Sequence, residues 1–350
     1  MINPKNISPG LWGLTALLVV ILALGIGGCD FIDPDDEGPS SDGLHPVLID
    51  GFWGFINPQG RIIIAPDFET VGTFSEGMAA VQFGVDWGFI DTQGEVVISP
   101  QFQFAGPFVD GLAPVRGNGF NDPYRFINRE GTAVIDGGYD LAQAFSEGLA
   151  AVRLNGQWGY VNTKGEVVIQ PQFSDARPFS ENRAAVEGPD GWFYIDRAGA
   201  VAIQTAFTLE FAGSFSEGLA PFSTSEGWGY LDAEGQPVIS PLYDEAEAFS
   251  QGLAVVKEGH IYVYVNRQGQ RAFPNEFEAA RPFTEGLAAV RLEKHWVYMS
   301  RETGELAFSR EFDRAEEYVD GIARVYLGRG ENPRIGYVDR AGDYVWFPTH

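Results

Sequence analysis

From residue 47 onward, apolar and polar positions alternate in short runs separated by polar segments that carry glycine, asparagine or aspartate. A two-residue period belongs to strands, whose successive side chains face opposite sides of a sheet. In a representative stretch, 149–154 reads as one strand, Asn155, Gly156 and Gln157 as a turn, and 158–161 as a second strand. Trp158 and Tyr160 then face one side, Gly159 and Val161 the other, and the glycine leaves room for close approach of a neighbouring strand or ring. Residues 162–166 predict a type I turn closed by Gly165 in the left-handed conformation, with Asn162 accepting the turn's own amides. Val167, Val168 and Ile169 make the third strand. An aromatic-small-aromatic spacing follows (Phe173, Ala176, Phe179), and Pro178, like Pro107 and Pro282 elsewhere, forbids a regular α-helix there. It reads as a tight connector whose aromatics plug the gap between units.

This unit recurs. The Trp158 motif WGYVN has counterparts at Trp53, Trp87, Tyr124, Trp192, Trp228, Tyr262, Trp296 and Ile335, a period of about 34 to 39 residues. Between successive copies lies a second motif, FSEGLA from Phe145 and Phe215, with variants beginning at Phe74, Phe108, Phe179, Phe249, Phe283 and Tyr318. Together these motifs resemble the WG repeat family of bacterial β-repeat proteins, over essentially the whole chain from Val47. Each unit exposes an apolar face that it cannot bury alone, so stacking is required. The expected fold is all-β, a tandem array of nine three-stranded antiparallel β-meander repeats spanning 47–350. Three strands are fewer than the four of a typical propeller blade, and nine units exceed the usual four to eight blades. An open or superhelical β-repeat array is therefore expected, with a closed propeller-like toroid as the alternative.

The amino-terminal segment follows different rules. Residues 11–28 are uncharged and mostly apolar, preceded by Lys5 and ending in small residues before Cys29, the pattern of an export signal. Ile26, Gly27, Gly28 and Cys29 resemble a bacterial lipoprotein signal, which implies lipidation of Cys29 and removal of 1–28. The alternative is an uncleaved anchor, since roughly eighteen apolar residues can span a bilayer. Either way the body is expected outside the cytosol, on the periplasmic or cell-surface side. Residues 29–46, with Asp33, Pro34, Asp35, Asp36, Glu37 and Gly38, cannot bury apolar area and read as an acidic tether. Cys29 is the sole cysteine, so no intrachain disulfide forms.

Charge narrows the partners. Lysine and arginine total 23 against 48 acids, a formal charge of -25 spread along the chain. Such a surface is unsuited to tracking phosphates or adhering to anionic lipid headgroups, so no nucleic-acid partner is expected, and membrane contact only through the N-terminal lipid or anchor.

No catalytic, metal or cofactor constellation emerges. His45, His260, His295 and His350 are dispersed, without ligand spacing. Ser75, Ser146 and Ser216 lack the preceding glycine of a nucleophile elbow and read as turn residues. A glycosidase needs two carboxylates at one cleft, whereas Glu76, Asp110, Glu147, Glu181, Glu217, Glu285 and Asp320 occur once per repeat, suited to accept backbone amides at the connector. The tryptophans read as core and, alternatively, as a sugar-stacking ladder.

What differs among the repeats is the loop between the first two strands. It is enlarged in the third unit (117–123) and the ninth (328–334) and altered in the fifth (187–191). Asn118, Phe120, Asn121, Asp190, Arg329, Glu331 and Arg334 are the candidate partner-binding residues, because insertions in repeat arrays collect on one face. The expected function is a non-enzymatic binding or scaffold lipoprotein of the bacterial envelope, with an envelope protein or extracellular polymer as partner. A carbohydrate or cell-wall binder is the first alternative, and a hydrolase with inter-repeat carboxylates the second.

Overall fold

The computed structural model describes residues 42–119, 121–328 and 333–349, and within them the chain forms strands and turns with no helix. Nine Trp-Gly-type strands, from Phe52–Ile56 to Arg334–Asp339, mark nine units. The all-β tandem array is therefore the observed architecture, and no sheet closes into a barrel.

The fourth unit shows how sequence becomes sheet. Leu149–Leu154 pairs antiparallel with Gln157–Asn162, placing Arg153 opposite Trp158 and Ala151 opposite Tyr160. Asn162 Oδ1 accepts the amides of Lys164 and Glu166 at 3.0 Å each, and Gly165 adopts a φ of 80°. The returning strand, Val167–Phe173, completes the meander.

The Trp-Gly pair has a specific cause. Trp158 pairs with Phe173 but Tyr160 pairs with Ile169, so two residues on one strand face four on the other and the outer strand bulges. The bulge carries Pro171 directly over Gly159, where an added Cβ would lie 2.5 Å from the Ile169 oxygen and 2.6 Å from the Pro171 nitrogen. The two residues go together along the chain. Units with Gly54, Gly88, Gly159, Gly229 and Gly336 carry proline six positions after the turn glycine (Pro66, Pro100, Pro171, Pro241, Pro348). Units in which Arg125, Phe193, Val263 or Val297 replaces the glycine have Gly137, Thr205, Asn275 or Arg310 there instead.

The connector is more than a plug. Its small residue and the one before it form a two-residue strand that pairs with the following unit, as Asp175–Ala176 does with Glu187 and Val186. Four sheets accordingly have four strands, which corrects the three-stranded expectation for those units; three others have three strands. In the remaining sheet, of seven strands, Val96–Ala105 runs without a break from the outer edge of the second unit into the inner edge of the third. Two residues were too short to show a period of their own.

The cores lie between units. Trp158, Tyr160, Ile169 and Phe173 of the fourth unit pack on Ala176, Phe179, Ala184, Val186 and Ile195 of the fifth, with the Tyr160 and Phe179 rings edge-on at 4.9 Å. The turn glycine of each unit seats on its predecessor, Gly165 against Ile135 and Gly199 against Ile169.

These contacts continue across the chain ends. Val47 and Ile56 of the first unit share a buried cluster with Ile322, Tyr326, Ile335 and Tyr337 of the ninth. Gly60 seats on the Val345 carbonyl as the other turn glycines seat on their predecessors. The open arrangement is thus corrected to the closed toroid, joined by side-chain packing with no hydrogen-bonded ladder between first and last sheets. The added inner strand removes the argument from strand number that favoured an open array.

Candidate interaction surface

The repeated polar residues are consumed in joining the units. At the FSEG-type turn the acid and the residue after it both lie in the left-handed region, as Glu147 (φ 51°) and Gly148 (φ 76°) do. This geometry turns the carboxylate toward the next unit. Glu76 accepts the Gly111 amide at 3.0 Å, Asp110 that of Gly148 at 3.0 Å, Glu147 that of Asn182 at 2.9 Å and Glu217 that of Gly252 at 2.8 Å. Glu181 and Glu285 each offer both oxygens, to the amides of Gly218 and Gly321. In the first unit Asp42 does the same for Gly77, and in the seventh Gln251 holds Gly286, so the role survives loss of the charge.

Serines and tyrosines work in parallel. Ser75, Ser146 and Ser216 donate to the carbonyls of Phe108, Phe179 and Phe249 at 2.6 to 2.7 Å, and Ser180 and Ser250 do likewise with Phe215 and Phe283. Tyr160, Tyr194, Tyr230, Tyr264 and Tyr298 donate to connector carbonyls of the next unit at 2.7 to 2.9 Å. Burial raises the pKa of all five hydroxyls far above the usual phenol value, so they remain donors. These motif serines donate to backbone carbonyls, and six of the seven motif acids accept a backbone amide of the next unit's turn. Among the described residues no group of three or more potential metal ligands converges.

Among the described residues the tryptophans are core or half-buried, and several have a ring face covered. Trp158 is buried. The Arg177 guanidinium lies 5.6 Å from the Trp192 ring centre, Arg281 lies 5.7 Å from that of Trp296, and Phe211 packs on Trp228 at 4.9 Å.

The loops singled out by sequence lie at the end of each unit opposite the FSEG turns. Asn118 is exposed and donates to Asp86 of the second unit at 2.8 Å, while Asp122 accepts the Gly119 amide at 3.0 Å and shapes the loop from within. Asn121, Asp190 and Arg334 are exposed. Phe120, Arg329 and Glu331 lie outside the described residues, as do Cys29, the expected signal over 1–28 and 29–41 of the expected tether. Asn118 and Asn121 share one loop; Asp190 and Arg334 belong to units adjacent neither to the third nor to each other.

A second group was not anticipated. Immediately after the connector's small residue stand Gly72, Gly106 and Gly213 in three units, but Gln143, Arg177, Glu247, Arg281 and Glu316 in five others. Toward the carboxyl end these residues form a charged seam. Arg281 meets Glu317 at 3.1 Å, and Glu316 accepts Arg324 Nε and the Tyr326 hydroxyl, each at 2.6 Å. Burial opposes the Arg324 charge, but Tyr337, Glu316 and Tyr326 outweigh it and hold the guanidinium protonated. The change from glycine to charge at one aligned position was the signal available in the sequence.

A family model described as "WG containing repeat" matches seven stretches: 53–84, 87–119, 124–158, 158–187, 192–225, 228–259 and 264–296. The chain belongs to this WG-repeat family. The matched stretches run from one Trp-Gly strand toward the next, so the family unit is offset from the sheets, and the structure carries the WG-repeat architecture beyond 296 to a ninth unit. No curated protein sequence matches the chain. Among solved structures, one titled as a eukaryotic initiation factor is similar over 87% of this chain and 94% of its own, with a TM-score of 0.63 at 12% identity, a likeness of fold alone. The surface component PorZ of the type-IX secretion system of Porphyromonas gingivalis covers 87% of this chain and 46% of its own, at a TM-score of 0.35 and 9% identity. Hsv2 of Kluyveromyces lactis covers 55% of this chain and 71% of its own, at 0.39 and 12%.

Proposed function

We propose that this WG-repeat protein is a non-enzymatic binding scaffold of the bacterial envelope, tethered through Cys29, that presents the loop end of its ring to a protein partner. The observation that carries the reading is the use of the shared acids, serines and tyrosines between units. Groups that recur in every repeat are spent on holding the ring, and partner choice falls to what differs, the third, fifth and ninth loops. Function in a repeated scaffold resides in sites placed upon it. The acidic surface suits a partner with a basic docking face, steered by long-range attraction that salt weakens.

The test is capture from envelope extracts with the full chain and a variant whose 117–123 and 328–334 loops are cut to two-residue turns like Asn155 and Gly156. A partner held by the full chain and lost by the trimmed one supports the reading; equal capture overturns it. Tryptophan emission unchanged by added glycans or quenchers would separately remove carbohydrate binding through exposed rings.

A further inference from the structure

The first unit departs from the other eight at one buried position. His45 stands where each of the others carries a buried alanine, from Ala79 in the second to Ala323 in the ninth. It is 5% exposed and lies at the contact between first and last units, its ring centre 5.8 Å from that of Tyr337. Its Nε2 is 3.6 Å from the Asp320 carboxylate and makes no hydrogen bond among the described residues. Arg324, largely but not fully buried and held by Glu316, acts on the same imidazole. A large titratable ring has thus replaced a methyl group at the only place where the toroid is not joined through the chain.

We propose that this seam is an acid-released latch, in which protonation of His45 puts a second cation beside Arg324 and frees the first unit from the ninth while the other contacts persist. The separation exposes Val47 and Ile56 on one side and Ile335 and Tyr337 on the other, surfaces buried only by closure.

Burial first, and the Arg324 charge second, lower His45 from 6.5 to about 4. The closed ring therefore holds the neutral imidazole, whereas an opened seam protonates it near the ordinary value. Closure is undiminished above about pH 6.5 and weakens progressively as the pH falls toward about 4. At pH 5 the opening equilibrium rises about 30-fold. Asp320 acts in the opposite sense. Burial, Glu285 and Asp42 raise its pKa, so its own protonation favours closure. The neighbouring Tyr337 and Tyr326 stay neutral throughout, and Glu316 is committed to Arg324.

Thiol labelling of the full chain at pH 7.5 and 5.0, in a Cys29→Ser background and corrected for the intrinsic rate at each pH, tests this, because separation bares Val47 without breaking the hydrogen bonds of its own sheet. Labelling of Val47→Cys should speed up about 30-fold at pH 5, while that of Val152→Cys, buried between the third and fourth units, holds. Adding His45→Gln should abolish that selective gain. His45→Ala, which restores the residue of the other eight units, provides the same comparison if the glutamine variant does not fold. An equal gain in the variants, an equal gain at 152, or labelling at 47 that slows in acid would each overturn the latch.

Discussion

The Tyr337 hydroxyl donates to the Pro46 carbonyl at 2.6 Å, across 291 positions of sequence. Five other tyrosines at the equivalent position donate to the connector of the following unit; Tyr337 reaches the first strand of the first unit, His45–Ile49, instead. One hydrogen bond type therefore runs through consecutive units and across the gap between chain ends. The bond at the seam is part-buried, so Tyr337→Phe removes a partner from the Pro46 carbonyl and should cost about 1 kcal/mol. Urea unfolding compared with Tyr230→Phe, which removes the bond to Glu247 inside the array, checks whether closure carries weight similar to an internal junction.

Gly159→Ala should destabilise by about 2 kcal/mol, because the new methyl would overlap the Ile169 carbonyl and the bulge at Pro171. Gly156→Ala meets open space and suffers only from its positive φ of 79°, about 1 kcal/mol. Denaturant midpoints that reverse this order would contradict the bulge as the reason for the Trp-Gly pair.

Glu181→Gln should leave stability within about 0.5 kcal/mol, since the amide oxygen still accepts from Gly218, as Gln251 does from Gly286. Glu181→Ala removes the acceptor and should cost about 1 kcal/mol. Thermal melts of the two variants distinguish a structural carboxylate from a dispensable one.

How much of this was legible follows from the length of each signal. Hairpins, turn asparagines and the once-per-unit acids have local causes, and a strand period, a turn glycine or a motif acid shows in the sequence. The inner strand spans two residues, as at Asp175 and Ala176, too few to alternate, and it read as a connector. Closure depends on the angle between neighbouring units summed around the array, which no single unit encodes. Its trace was in one departure, His45 for alanine. The Arg281, Glu316 and Glu317 seam likewise required alignment of the connectors against each other.

Alkali should unfold the ring cooperatively. The buried tyrosine pKa values lie above the ordinary 10, so their contribution is complete below about pH 10 and is lost as the pH rises beyond it, when unfolded chains ionise first. Absorbance at the phenolate band should rise together with loss of the β signal in circular dichroism. Phenolate appearing well before unfolding would show these hydroxyls accessible.

The closed ring is tested most directly by spin-label distances across the seam, in a Cys29→Ser background. Gln59 and Ala341 occupy equivalent exposed turn positions in the first and ninth units, and Gln59 and Gln93 occupy them in the first and second. In a closed ring, labels at 59 and 341 give the same short distribution as labels at 59 and 93. A clearly longer distance for the 59 and 341 pair at neutral pH, with the 59 and 93 pair still short, would contradict closure.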